Sequence, residues 1–134
     1  MPTIEFQGVC VSFEDKEILS DINLTLSEQR IGIIGANGGG KSTLTRLING
    51  LGEPTTGTVL VDAVDVAKSG KEVRRKVGFV FSDAENQIVM PNVRDDLAFS
   101  LRRLKLAKEE KKARVDAALE RFGLSHLAEQ SPHT

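Results

Sequence analysis

The sequence predicts an α/β fold in its first two-thirds and a helical region in its last third. Two short apolar runs, IGIIG (31–35) and VGFVF (77–81), have the length and continuous hydrophobicity typical of strands buried in a parallel sheet. A glycine-rich segment follows the first run, and a helical pattern follows that segment. From Asn92 onward apolar residues recur at helical spacing, so the chain is predicted to change character there.

Three further segments of the first part predict strands. Residues 3–13 are rich in β-branched and aromatic side chains and predict one or two strands, which a turn at Asp15-Lys16 would end. Residues 22–26 alternate between apolar and polar and predict a half-buried strand. Residues 57–61 predict another strand, and residues 65–76 are polar and weakly helical.

Three helices are predicted from the spacing of apolar residues. The first presents Leu44, Leu47 and Ile48 on one face and ends at the glycines of residues 50–52. Two more faces follow in the last third, formed by Val93, Leu97, Leu101 and Leu104, and then by Val115, Ala118, Leu119 and Phe122. Gly123 is predicted to end the last helix.

Composition and charge exclude several classes of protein. The 134 residues are 40% hydrophobic and 28% charged, as in an ordinary folded domain. With 18 basic against 19 acidic side chains, the net charge of −1 gives no global basic field to hold nucleic acid. Cys10, the single cysteine, cannot form an internal disulfide. The N-terminal segment lacks the basic start of a signal peptide, and no stretch of apolar residues is long enough to predict a membrane span.

Residues 35–42, GANGGGKS, match the phosphate-loop pattern G-x-x-x-x-G-K-[ST] between a predicted strand and a predicted helix. Glycines let backbone N–H groups turn toward a polyphosphate, and the helix directs its positive end at the same anion. Lys41 supplies a cation for the β- and γ-phosphates, and Ser42 supplies a hydroxyl for Mg²⁺. A chance match has a probability of about half a percent at ordinary residue frequencies. The sequence therefore predicts binding of a nucleoside triphosphate.

Other classes of phosphate-loop protein fit less well. A small GTPase is excluded, because neither D-x-x-G nor N/T-K-x-D follows the loop. A phosphate-loop kinase remains open, because Asp83 follows VGFVF and could hold Mg²⁺ at the end of a strand. A nucleotide-binding remnant that does not hydrolyse ATP is the other open alternative.

Four segments of the chain resemble the ATP-binding subunits of ABC transporters: ILSDINLTL (18–26), the phosphate-loop region (31–51), EPTTGTVLVD (53–62) and residues 74–101. The resemblance covers essentially the whole chain and is nearest to the energy-coupling-factor type, which takes up vitamins and metal ions, and to its biotin-uptake branch. It implies the P-loop NTPase fold of an ABC nucleotide-binding domain. Residues 1–91 would be the β-rich and core α/β part, and residues 92–134 part of the helical subdomain.

The resemblance also implies an ATP site with bound Mg²⁺. Phe13 stands where the family places an aromatic ring that stacks on adenine, although a core strand residue is the alternative. Asn37 is either a turn residue or a contact on the γ-phosphate side. Gln87 stands where the family's glutamine reaches Mg²⁺ and the attacking water. The implied nucleotide contacts are Phe13, Gly35, Asn37, Gly38, Gly39, Gly40, Lys41, Ser42 and Thr43, with Lys41 and Gln87 as catalytic residues and Ser42 and Gln87 as magnesium ligands.

The implied function is energy supply to an importer of a vitamin or metal ion, with biotin or cobalt favoured. The implied partners are a second ATP-binding subunit, forming a dimer, and an integral membrane component, with the protein peripheral on the cytoplasmic face of the membrane. We expect no nucleic acid partner and no direct contact with the transported substrate. Residues 88–91 are interpreted as apolar surface for the membrane partner or as a buried hinge.

Three charged or titratable features lie in the last third of the chain. Residues 102–114, rich in Lys and Arg, are interpreted as a solvated helix face with i,i+4 ion pairs, or else as a segment near anionic lipid headgroups. His126 and His133 are predicted to lie on the surface.

Motifs that the family carries later do not occur in these 134 residues. They are the L-S-G-G-Q signature loop, a strand ending in Asp and the catalytic Glu, and the switch histidine. We expect the sequence to be the N-terminal part of a longer ATPase. Because the family's later strands lie between the two apolar runs, IGIIG and VGFVF would lack their neighbours. We therefore expect the chain alone to be poorly stable, to bind Mg-ATP at most, and to have little or no ATPase activity.

Overall fold

A computed structural model describes residues 2–133, with Ala84 described by its backbone only. Packing divides the chain into two compact units, one up to Phe79 and one from Val80 onward. The change in composition at Asn92 thus falls inside the second unit. The predicted boundary between the core part, residues 1–91, and the helical subdomain, residues 92–134, refers to a complete ATP-binding domain and stays a prediction.

The first unit is built on a four-stranded antiparallel sheet with the strand order β2-β1-β3-β4. Its strands are β1 (Ile4–Phe13), β2 (Lys16–Leu26), β3 (Thr56–Val61) and β4 (Val64–Asp65). β1 lies inside the sheet and pairs Ile4 with both Leu26 and Val61. The strands predicted at 3–13, 22–26 and 57–61 are therefore confirmed.

A tight turn between β1 and β2 and a close approach of β3 to β1 shape this sheet. Glu14 and Asp15 both have left-handed φ angles of 47° and 62°, which makes the β1–β2 connection a tight hairpin turn matched to the strand twist. The turn lies one residue earlier than predicted, because Lys16 already pairs with Phe13. At Gly57, with φ +90°, an added Cβ would lie 2.3 Å from the Gly8 carbonyl oxygen. Only glycine lets β3 approach β1 this closely.

The core of the first unit lies between the sheet and two helices. These helices are α1 (Lys41–Ile48) and α2 (Gly70–Lys76). Leu47 of α1 is 1% exposed, and Leu44 and Ile48 pack against the same cluster, so the predicted apolar face is confirmed. The buried members of the cluster are Phe6, Val9, Leu19, Leu47, Val59, Val61, Val66 and Val73. Burying each of these side chains contributes roughly 1.5–3 kcal/mol before the cost of ordering the chain.

The two apolar runs predicted as buried parallel strands form no strand in the described part of the chain, so that prediction is wrong for this structure. Residues 31–36 have no regular secondary structure, and Ile34 is 99% exposed. Residues 77–81 likewise form no strand, and Val80 is 90% exposed. A buried strand needs a ladder partner on each side. The described sheet contains neither run, as expected from the missing neighbours.

The second unit packs two helices and two short 3-10 helices together. The helices are α3 (Val93–Ser100) and α4 (Lys108–Arg121), and the 3-10 helices are Ala84–Gln87 and Ser125–Leu127. Asn92 caps α3, because its side-chain oxygen accepts a 2.8 Å hydrogen bond from the Asp95 backbone N–H. Val115, Leu119 and Ala128 form the buried centre, against which Val93, Leu97, Ala98, Leu101 and Leu124 pack.

The outermost residues of the two predicted helical faces do not pack. α3 ends at Ser100, so Leu104 lies in the following loop and is 50% exposed. α4 ends at Arg121, so Phe122 caps it and is 71% exposed. α3 ends four residues before Leu104 and α4 one residue before Phe122, and both of these side chains face solvent. No helix among residues 2–133 has the combined length and hydrophobicity needed to cross a bilayer.

Arg94 ties three segments of the second unit together. Its guanidinium donates to Asp116 of α4 at 2.6 Å and to Glu129 at 2.8 Å. The backbone N–H groups of Val93 and Arg94 donate to the carbonyls of Gln130 and Ala128. The hydrogen bonds to Asp116 and then to Glu129 raise the pKa of Arg94 from a value already far above neutrality. Because this pKa lies far above neutrality, the guanidinium stays charged throughout the physiological range. The stabilisation that accompanies the raised pKa is therefore fully present at every pH below the pKa of the unfolded chain.

Truncating Leu47 to Ala should lower the free energy of unfolding by about 2–5 kcal/mol, because the cavity would open at the centre of the first unit. Urea unfolding followed by far-UV circular dichroism measures this, since the chain contains neither Trp nor Tyr. Leu51→Ala is the matched control, because Leu51 is 47% exposed. Equal losses in the two variants would contradict the core described here.

Replacing Arg94 with Met should lower the thermal midpoint of the helical second unit, because Asp116 and Glu129 would lose their shared partner. Arg103→Met is the control, since Arg103 is exposed and forms no ion pair within residues 2–133. Circular dichroism at 222 nm during heating reports both midpoints. The assignment of a tying role to Arg94 fails if the two variants melt together.

Candidate nucleotide-binding site

The glycine-rich loop between residues 35 and 42 runs directly into α1. The Gly39 N–H donates to the Ala36 carbonyl at 3.0 Å, which closes a tight turn. Gly40 precedes the helix with φ +89°, and a Cβ there would lie 2.9 Å from Cδ2 of Leu19 and 3.2 Å from the Ile18 carbonyl oxygen. The loop therefore rests directly on strand β2, and a side chain at Gly40 would push it away.

A cavity of about 380 Å³ opens beside this loop. One wall is formed by residues 37–43, and the other by Lys16, Glu17 and Ile18 of β2. The first N–H groups of a helix have no partner within the helix and carry its positive end, here at Lys41. Glycine backbone and a helix N-terminus in the same wall make this cavity suited to an anion of several phosphates.

Lys41 crosses the base of the loop. Its ammonium group donates to the Gly35 carbonyl and, at 2.8 Å, to the Ala36 carbonyl. Lys41 is half-buried, and its Cδ and Cγ atoms lie 3.6 and 3.7 Å from where a Gly35 Cβ would stand. The cation is thus held at the loop by neutral carbonyl oxygens, and a phosphate group would offer it a charged acceptor.

Ser42 and Thr43 complete the cavity wall at the start of α1. Ser42 is exposed, and its hydroxyl is one oxygen ligand of the kind that Mg²⁺ prefers. The described residues contain no cluster of three His, Cys, Asp or Glu that could hold a metal ion by itself. The donor set therefore fits a Mg²⁺ ion that takes most of its ligands from water and from the phosphates of a nucleotide.

Phe13 lies at the end of β1 and is 67% exposed. It is therefore not the core strand residue that the sequence left open as an alternative. Its pairing partner across the hairpin is Lys16, which lines the phosphate-loop cavity. The exposed ring is thus carried by the same hairpin that forms one cavity wall, and its face is available for stacking.

Gln87 is the last residue of the 3-10 helix Ala84–Gln87 and is exposed. It belongs to the second unit, whereas the phosphate loop belongs to the first. Asp83, the acid considered for a kinase, precedes this helix and accepts a hydrogen bond from the side-chain amide of Asn86. Its carboxylate therefore stabilises its own loop.

Residues 88–91 divide between a groove and the surface. Ile88 lines a mostly apolar groove of about 310 Å³ in the second unit, whereas Val89 is 59% exposed. The N–H groups of Val89 and Met90 donate to the Asp96 carboxylate at 3.0 and 3.3 Å. The segment is therefore neither wholly buried nor wholly exposed. The apolar walls of the groove are Val93, Leu97, Leu124, Leu127 and Pro132.

Sequence reasoning missed three residues of the phosphate-loop cavity, Lys16, Glu17 and Ile18. They reach its wall only because the β1–β2 hairpin folds against the loop. The available signal was their position three to five residues after Phe13, just past a turn. His126 and His133 are exposed, as predicted.

Comparison with known proteins supplies the family. Residues 19–134 match the family model described as ABC transporter. The biotin transport ATP-binding protein of Rhizobium etli is 47% identical over 130 residues, which are 97% of this chain and 58% of that protein. The nickel import ATP-binding protein of Rhodobacter capsulatus is 41% identical over 140 residues, covering 98% of this chain and 55% of that protein.

A solved structure agrees with the fold. The structure of cbiO1 from Clostridium perfringens, described as part of the ABC transporter complex cbiONQ, matches with a TM-score of 0.86 and 32% identity. The match covers 97% of this chain and 54% of that one, so the chain spans less than two thirds of the length of each of these relatives. The P-loop NTPase fold predicted from the sequence is confirmed as a partial domain. The chain belongs to the ABC transporter family, among its ATP-binding proteins.

Proposed function

We propose that this protein is the Mg-ATP-binding subunit of an energy-coupling-factor importer for a vitamin or metal ion, with biotin or cobalt as the favoured substrate. The observation that carries the proposal is the cavity beside the phosphate loop, which is lined by Lys41 and by the N-terminus of α1. Relatives named for biotin transport and nickel import support the importer class. The structure described as part of cbiONQ supports a complex with further components.

The proposed nucleotide contacts divide by chemistry. Backbone N–H groups from Gly38 to Thr43 would hold the phosphates, together with the loop at Gly35 and Asn37. Lys41 would exchange its two carbonyl acceptors for the β- and γ-phosphates. Phe13 would stack on adenine.

Hydrolysis in the intact protein would need Mg²⁺ and an oriented water. Mg²⁺ neutralises charge on the phosphates as it builds up during phosphoryl transfer. Ser42 would provide one ligand from the loop, and Gln87 would provide a second and orient the water. The exposure of both side chains supports these assignments.

The proposed partners are a second ATP-binding subunit and a membrane-embedded component, at the cytoplasmic face of the membrane. The groove beneath Ile88 supports the second partner, because its walls offer Leu97, Leu124 and Leu127 to an apolar helix. In this arrangement residues 1–91 supply the phosphate loop, and residues 92–134 belong to the helical subdomain.

Lys41→Met should weaken Mg-ATP binding by about ten- to a hundredfold, since a charge-assisted contact to phosphate contributes roughly 1.5–3 kcal/mol. Isothermal titration calorimetry measures the affinity. Lys68→Met is the matched control, because Lys68 is exposed and does not line the cavity. Unchanged binding by Lys41→Met would overturn the proposed site.

The fate of the γ-phosphate separates the remaining alternatives. A kinase would transfer it to a small acceptor, whereas the proposed subunit releases inorganic phosphate in its intact, assembled form. A remnant would bind Mg-ATP without either outcome. Transfer that depends on an added acceptor would therefore favour the kinase.

Phe13→Ala should weaken Mg-ATP binding by about five- to a hundredfold, because base–aromatic stacking contributes roughly 1–3 kcal/mol. Phe13→Tyr should retain the affinity, since it keeps the ring face. Tripolyphosphate with Mg²⁺ has no base, so its affinity should be the same in all three proteins. A parallel loss of tripolyphosphate binding would show that Phe13 acts on the loop and does not contact adenine.

A further inference from the structure

The connection between α3 and α4 concentrates positive charge. Residues 101–112, here called the basic loop, comprise the connection at 101–107 and the start of α4 at 108–112. They read LRRLKLAKEEKK and hold six of the 18 basic side chains but only two of the 19 acidic ones. The remainder of the chain is net negative, since the whole chain carries −1. This asymmetry directs one end of the second unit toward negatively charged surfaces.

The cations of the basic loop are not neutralised by the protein. The ion pairs of residues 2–133 involve Lys76, Arg94 and Arg114, which all lie outside the loop. The interpretation of this region as a helix face with many i,i+4 pairs is therefore not met, because the described residues show one such pair, Glu110–Arg114. That pair also occupies one of the two acids of the loop.

Apolar side chains stand among these cations. Leu104 is 50% exposed and lies between Arg103 and Lys105. Phe99, just before the loop, is 37% exposed, and the Arg102 guanidinium lies over its ring at 3.9 Å. Exposed apolar residues between long cationic side chains are typical of a surface that enters the headgroup region of a bilayer.

We propose that the basic loop binds the surface of an anionic bilayer, with its Lys and Arg side chains on headgroup phosphates and Leu104 at the boundary with the acyl chains. Clusters of four to eight cations beside a membrane bind anionic lipids in this way, and each cation strengthens binding by about fivefold. The inference rests on the proposed function for one point only, namely that the subunit works next to a membrane.

Nucleic acid fits the basic loop less well than a bilayer does. Proteins that bind single strands combine a basic groove with open aromatic rings on which bases stack. The ring near this loop, that of Phe99, is covered by Arg102. Leu104 has no ring on which a base could stack. Contact with lipid acyl chains, in contrast, would account for its exposed side chain.

Sedimentation of the intact protein with vesicles tests the proposal. Vesicles of phosphatidylcholine with about 30% phosphatidylglycerol should bind the protein, and vesicles of phosphatidylcholine alone should not, because the attraction is mainly electrostatic. Raising the salt concentration should weaken binding by screening. The triple variant R103Q/K105Q/K108Q should bind about a hundredfold more weakly, at about fivefold for each cation.

The matched control removes three charges elsewhere. K68Q/K71Q/R75Q changes exposed cations of the first unit that form no ion pair in the described chain, and it should bind the anionic vesicles like the parent. Leu104→Gln keeps every charge and should still weaken binding several-fold. Circular dichroism should show the parent's helical content in each variant, because all the substituted side chains are exposed.

Four results would overturn the proposal. They are no binding to anionic vesicles, equal losses in the two triple variants, equal binding to both kinds of vesicle, and displacement from vesicles by a single-stranded oligonucleotide at lower concentration than by anionic lipid. Mg-ATP binding measured on the same proteins tests the proposed function separately. It should be the same in the parent and in both triple variants, so failure of the nucleotide site and failure of the lipid site are distinguishable.

Discussion

The close packing of Gly40 against strand β2 is the constraint on which the candidate site depends. Because residue 40 has no side chain, the phosphate loop lies on Ile18 and Leu19 and delivers the start of α1 to one side of the cavity. Leu47, near the C-terminal end of α1, is buried and fixes that end of the helix in the core. The hairpin that receives the loop also carries Phe13 and Lys16. One glycine contact thus brings the phosphate loop against the hairpin that carries Phe13.

The second unit is held by polar contacts as well as by its small core. Val115, Leu119 and Ala128 are its buried side chains, and Arg94 adds ion pairs that join α3 to α4 and to Glu129. Asp96 fixes the segment after Gln87 through two backbone N–H groups. Gln87 therefore leads into a loop whose path is determined by α3, while its own side chain stays exposed. A residue proposed to contact Mg²⁺ and water needs that combination of a fixed backbone and a free side chain.

The two apolar runs show how a strand depends on its neighbours. IGIIG and VGFVF have the composition of buried strands, yet Ile34 and Val80 are almost wholly exposed. Hydrophobic sequence favours burial, but backbone N–H and C=O groups can be buried only where a ladder satisfies them. The antiparallel sheet forms without them because β1 pairs locally with β2 and again with β3. β1 and β2 form a local hairpin, and β3 joins β1 from more than 45 residues further along the chain, so every partner that β1 needs lies within the first unit.

The sequence by itself determined the phosphate loop, the family and most strands and helices, because these depend on residues close together in the chain. GANGGGKS carries its own chemistry, and the faces of α1 and α4 follow from apolar spacing. The tertiary structure decided the exposure of Phe13, the place of Lys16 and Glu17 in the cavity, and the ion pairs of Arg94. These depend on contacts such as Gly40 with Leu19 or Arg94 with Glu129, whose partners lie 35 positions apart in the second case. Local patterns contain no information on which distant segments will meet, so only the folded chain could show them.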